Sequence, residues 1–170
     1  KDAINVLVKI LEDLQQEPMV RHEAGEALGA IGSKEVIELL EKYKKDSIIE
    51  VAETCELALD RIKWLHSNSK ETLSKNPYNS VDPAPPMETS DLNKLKETLL
   101  NENASLFDRY RAMFSLRNIR TKESIEILCT ALKYGSALFK HEIAFVLGQL
   151  QNELSVPYLT ESLRDQNENE

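Results

Sequence analysis

Two copies of the dipeptide His-Glu, His22-Glu23 and His141-Glu142, are the residues of this chain best suited by type and placement to do chemistry. An imidazole beside a carboxylate offers mixed nitrogen and oxygen donors. Such donors suit a hard-to-borderline divalent cation, and iron is a usual occupant of such sites when coordination positions stay open. One pair supplies two ligands at most, so a metal site needs at least one further helix to contribute. The dipeptide alone is a weak signal, but its surroundings recur with it. Met19 to Ile31 and Leu138 to Leu150 match in register, 119 residues apart.

On a helical wheel with Val20 at zero, Val20, Ala24, Ala27, Leu28 and Ile31 fall between about −20° and 80°, which predicts a core-facing stripe. His22 lies near 200°, with Gly25, Glu26 and Gly29 between roughly 140° and 240°. The second copy turns Phe139, Ile143, Val146, Leu147 and Leu150 inward and His141 outward, beside Ala144 and Gly148. A glycine inside an exposed helix costs about 1 kcal/mol relative to alanine. Small residues kept beside an outward His-Glu therefore predict that something packs closely there. The plain alternative is a pair of solvated histidines on an outer face.

The helices that must carry these pairs belong to a repeat. Val51 to Leu59 lies over Val20 to Leu28 at a shift of 31, keeping Val51, Cys55, Ala58 and Leu59 apolar; Leu106 to Leu116 lies over the helix ending at Leu147 at the same shift. Partner helices are expected over 3–14, 33–44, 92–100, 124–133 and 154–163. A period near 30 with two helices per unit predicts an all-α solenoid of short HEAT-like hairpins. Gly32 and Gly135 suit the turns.

The pattern breaks between His66 and Ser90, where most of the prolines stand and a helix is excluded. This gives an N-terminal block over 1–66, a linker over 67–90 and a C-terminal block over 91–170. Each block carries one His-Glu.

Composition sets the bounds. The 170 residues are 41% hydrophobic and 6% aromatic, with five glycines, as fits a helical globular core. A net charge of −8 without a basic cluster argues against a nucleic-acid partner. No apolar run approaches the roughly 18 residues of a membrane span. Cys55 and Cys129 sit inside apolar helical patterns and read as small buried side chains in a reducing compartment. His66, after Trp64-Leu65 at a helix end, reads as a solvated histidine, and Asp82 beside Pro83 as turn chemistry.

Several segments resemble deoxyhypusine hydroxylase: Arg21 to Gly32, the proline-rich Ser80-Val81-Asp82-Pro83-Ala84-Pro85-Pro86, Arg109 to Phe114, and Gly135 to Glu142. The resemblance runs the length of the chain. It implies two blocks of HEAT-like repeats facing each other across a di-iron centre. It also implies a monooxygenase that uses O2 as co-substrate to hydroxylate the deoxyhypusine side chain of eukaryotic translation factor 5A, completing hypusine. Such a protein is expected to be cytoplasmic and monomeric, with two Fe(2+) per full-length chain.

That family carries four His-Glu motifs, two per block, and this sequence shows two. One period before His22 lies ahead of Lys1, and one period after His141 lies beyond Glu170. The expectation is a central fragment holding half the ligands and inactive by itself. Under the resemblance His22 and Glu23 serve one iron, and His141 and Glu142 the other. Neighbours on a helix diverge by about 100°, so His and Glu of one pair need not both bind the metal, and one carboxylate per block is open to another role, around the metal or toward substrate. Glu26 could hold an amine of deoxyhypusine. Gly25, Gly29 and Gly148 would let the metals and the substrate chain approach the backbone. No separate catalytic acid, base or nucleophile is required.

Two other readings compete. A non-enzymatic HEAT scaffold would bind a protein along its concave surface, and the His-Glu pairs would be incidental. A lyase-type HEAT protein handling a tetrapyrrole would need a large apolar groove, for which few aromatics are present.

Overall fold

The computed structural model describes residues 2–67 and 70–166. Lys1, the linker residues Asn68 and Ser69, and the last four residues of the C-terminal block lie outside the described part. Among the described residues the chain is helical without strands: α1 (Asp2–Glu12), α2 (Pro18–Ile31), α3 (Ile37–Tyr43), α4 (Ile49–Leu65), α5 (Leu92–Leu100), α6 (Leu106–Ile119), α7 (Lys122–Ala131), α8 (Ala137–Leu150) and α9 (Val156–Arg164). Single 3-10 turns over Lys34–Val36 and Glu153–Ser155 lead into α3 and α9. The expected partner helix over 92–100 is α5 itself, and the other four differ at their ends. The HEAT-like solenoid expected from the repeat is the fold observed.

Two compact units form. The first holds residues 1–70 with Val81–Ala84, and the second holds Glu71–Ser80 with Pro85–Glu170. The proline-rich segment is thus divided between the two.

In the first unit α1 pairs with α2 and α3 with α4, and α2 lies along α4. Leu11, Leu28, Leu40, Val51, Cys55, Leu59 and Ile62 form its core. In the second unit α5 pairs with α6 and α7 with α8, while α6 lies along α8. Tyr110 meets Phe139 edge to face at 5.7 Å in that core.

Local chemistry explains the helix boundaries. Ser105, Thr121 and Ser136 accept backbone N–H bonds at the starts of α6, α7 and α8, while Pro18 opens α2 with its fixed φ. The second helix of three hairpins ends in a left-handed residue: Gly32 at φ 73°, Arg120 at 60° and Gln151 at 50°. An arginine in the first turns of two such helices ties the hairpin together. Arg21 Nε donates to the Leu11 carbonyl and Arg109 Nε to the Leu99 carbonyl, both at 3.0 Å.

Both cysteines are free and buried, as expected. Burial pushes the Cys55 thiol up to about 12 and the Cys129 thiol up to about 11, so neither supplies a thiolate at neutral pH. His66 is exposed, with Nε2 3.0 Å from the Gly32 carbonyl at the end of α2. No helix among the described residues is long and apolar enough to cross a membrane.

Candidate metal centre

The two His-Glu helices share a sequence pattern but not an environment. On α8 the expected stripe is the buried one: Phe139, Ile143, Val146, Leu147 and Leu150 are all inside. His141 is exposed on the opposite face and Ala144 half-buried, and a Cβ on Gly148 would meet nothing within 4 Å.

On α2 the expected stripe is wrong by about a quarter turn. The buried arc runs from Ala24 at about 40° through Leu28, Arg21, Gly25 and Gly29 to His22 at about 200°. Val20 and Ile31, expected inside, are 42% and 49% exposed, and Ala27 is half-buried. The cause is packing on two sides. α1 covers the Ala24 and Leu28 edge, and α4 covers the His22, Gly25 and Gly29 edge.

The glycines of α2 therefore serve helix packing. A Cβ on Gly25 would lie 3.1 Å from Thr54 Cγ2, and one on Gly29 would lie 2.8 Å from Ala58 Cβ. The space expected for metal or substrate beside Gly25 and Gly29 is filled by α4. Gly148 keeps open ground beside it.

His22 is 6% exposed. Its Nδ1 is hydrogen-bonded to Thr54 Oγ1, and its Nε2 is 3.7 Å from Glu26 Oε2, one turn along. Burial raises the Glu26 carboxyl above its usual range, and the neighbouring charge of Glu23 adds to the shift. A cation beside Glu26 would offset that penalty. Glu23 itself is exposed. The structure thus brings His22 and Glu26 together, with Glu23 nearby.

In the second unit His141 lines a cleft of about 700 Å³ between α8 and α9, with Lys140, Ala144, Leu159, Ser162 and Asp165. Glu142 is half-buried on α8. The position matching Glu26 is Phe145, which is 50% exposed.

Thr54 was not legible as part of this site. Its signal was a polar β-branched residue three positions after Val51 and four before Ala58, on the apolar side of α4. Only the lateral packing of α4 on α2 brings that hydroxyl to His22.

Comparison with known proteins adds an independent line. Residues 1–60 match the HEAT repeats family, and residues 108–134 match the PBS lyase HEAT-like repeat. The deoxyhypusine hydroxylase of Drosophila melanogaster is 57% identical over 169 residues, covering 99% of this chain and 56% of that protein. The Homo sapiens enzyme of the same name is 55% identical over 167 residues, covering 98% and 55%. The chain belongs to the deoxyhypusine hydroxylase family. A solved structure of human deoxyhypusine hydroxylase in complex with glycerol superposes with a TM-score of 0.92 at 55% identity, covering 99% of this chain and 58% of that one. The chain spans a little over half the length of these relatives.

The donor set fits a divalent metal in kind. Imidazole and carboxylate recur as neighbours in each unit, and the one buried imidazole has a carboxylate beside its Nε2. It is a partial set, since among the described residues no three histidine, cysteine, aspartate or glutamate side chains converge on a point.

Proposed function

We propose that the intact protein is an iron-dependent monooxygenase that hydroxylates the deoxyhypusine side chain of eukaryotic translation factor 5A. The observation that carries this reading is the relationship, over nearly the whole chain, to relatives bearing the name deoxyhypusine hydroxylase.

His22 and His141 are the protein's metal donors in this reading, with Glu23 and Glu142 as their carboxylate companions. Two Fe(2+) per full-length chain and O2 supply the oxidising chemistry that side chains lack. The residues themselves bind and orient. His22 is held rigid in the α2 and α4 seam, which limits loss of geometry at the metal. Glu26, half-buried beside His22, is stabilised by a cation and serves as the acceptor for an ammonium of the substrate. Gly148 lets a long alkyl chain run close to the α8 backbone. In this reading Gly25 and Gly29 serve the close packing of α2 on α4 instead. The 170-residue chain holds one His-Glu pair per unit and is inactive without further ligands. The protein acts as a monomer in the cytoplasm.

The test is anaerobic Fe(2+) loading of the full-length protein, followed by O2-dependent conversion of deoxyhypusine to hypusine on the translation factor. Iron bound at two per chain, falling in both His22→Ala and His141→Ala, is expected. Protein that binds the factor equally well without iron, and with either histidine replaced, would establish the scaffold reading instead.

A further inference from the structure

The hydrogen bond between His22 and Thr54 has a direction that its surroundings dictate. Thr54 Oγ1 lies 2.7 Å from the carbonyl oxygen of Glu50, one turn back on α4. A carbonyl only accepts, so the single hydroxyl proton of Thr54 is committed to it. His22 Nδ1 also lies within hydrogen-bond distance of the same Oγ1. Two lone pairs do not bond, so Nδ1 carries the proton and donates. In a neutral imidazole the lone pair then belongs to Nε2, the nitrogen that faces Glu26.

We propose that Thr54 is a positioning residue, which locks His22 in its Nδ1–H tautomer and so presents Nε2 as the metal-binding atom. This rests on the reading of His22 as an iron ligand. The two residues are 6% and 3% exposed, so bulk water competes little for the bond. The rotamer of Thr54 is constrained too. Its methyl carbon fills the space beside Gly25, where even an added Cβ would come within 3.1 Å. With the methyl seated against Gly25, the hydroxyl is turned to His22. Metal-binding histidines generally donate their second ring N–H to an oxygen of a carboxylate, a backbone carbonyl or water, and removing such a partner weakens metal binding by about 10- to 100-fold; here the Thr54 hydroxyl oxygen takes that place.

The experiment uses full-length protein labelled with 15N-histidine, with the His22 ring signals assigned by their loss in His22→Gln. Long-range proton–nitrogen correlation on the metal-free protein reads the tautomer directly, and anaerobic titration with Fe(2+) alone reads affinity. Expected are an Nδ1–H signature in the wild type and in Thr54→Ser, and its loss in Thr54→Val. Fe(2+) affinity is expected to fall about 10- to 100-fold in Thr54→Val and to be retained in Thr54→Ser. An Nε2–H tautomer in the wild type overturns the proposal even if Thr54→Val does not fold. So does a Thr54→Val protein with unchanged tautomer or unchanged affinity. Failure of the underlying reading looks different: His22→Gln would then keep full Fe(2+) stoichiometry, whatever tautomer the wild type shows.

Discussion

Gly29 and Ala58 meet backbone to backbone where α2 lies on α4: a Cβ on Gly29 would stand 2.8 Å from the Ala58 Cβ and 2.9 Å from its Cα. The second contact is main chain and has no rotamer to change. Gly29→Ala must therefore push the helices apart, an overpacking penalty of about 1–3 kcal/mol that outweighs the better helix propensity. Gly148 holds the same place on α8 with nothing within 4 Å. Gly148→Ala in this chain gains about 1 kcal/mol from propensity alone. Urea unfolding of the 170-residue chain should show midpoints moving in opposite directions, and shifts of the same sign would contradict the packing described.

That contrast also explains what the sequence revealed. The repeat period and hairpins were legible because the apolar spacing and the turn residues recur with every unit. The α8 stripe was legible because the face opposite it, with His141 and Gly148, is left open, as a simple wheel assumes. The α2 stripe was not, because a helix packed on two sides has two buried faces. The second face is written in Gly25, Gly29 and His22 rather than in large apolar residues. The glycine cost pointed correctly to a close approach on that face, but on α2 the approaching body is α4. The Thr54 contact with His22 joins residues 32 apart through lateral packing, which local spacing does not display.

The left-handed residues that end α6 and α8 offer a separate handle. Arg120 and Gln151 adopt φ of 60° and 50° while exposed, where a Cβ is strained and glycine is not. Gln151→Gly and Arg120→Gly are each expected to raise stability by about 1 kcal/mol. At Gly32 the opposite holds, because φ is 73° and an added Cβ would also press on Leu65 Cδ1 at 2.7 Å. Thermal unfolding of the three variants, with Gly32→Ala lowered and the other two raised, checks this.

Asp46 should make the first unit sensitive to acid. Its carboxylate pairs with Arg21 Nη2 at 2.5 Å, and both side chains are buried. Burial alone would raise its pKa, but the Arg21 bond and charge and the Ile48 N–H outweigh it and hold the group below its usual value. A carboxylate depressed in the folded state adds stability above its unfolded pKa of about 3.9. That stability disappears as the pH falls through the lower folded value. Asp46→Asn leaves Arg21 buried without its anion, at a cost of about 3 kcal/mol near neutrality. The wild-type advantage over the variant should shrink as urea unfolding is repeated from pH 7 down to pH 3. An advantage independent of pH would show that the charge of Asp46 is not what stabilises.

In the second unit, Arg111 fastens the part of the proline-rich segment that belongs there. Its Nη2 bonds Glu71 Oε2 at 2.7 Å and the Pro86 carbonyl at 3.2 Å, while its Nε donates to the Pro85 carbonyl at 3.3 Å. One and two turns further along α6, Ser115 Oγ accepts the Met87 N–H and Asn118 Nδ2 donates to Ser74 Oγ. A segment with little regular structure is thus tied at several points to one helix. Proteases require local opening, whose free energy these bonds raise. Arg111→Met keeps the alkyl stem on α6 and removes three of the bonds at once. Trypsin cleavage after Lys75, which is exposed, should quicken about tenfold if opening becomes easier by about 1.4 kcal/mol. Glu71→Gln, which weakens the ion pair but leaves the proline carbonyls held, should quicken it less. Equal rates in wild type and Arg111→Met would mean that the segment is held by its prolines' stiffness rather than by α6.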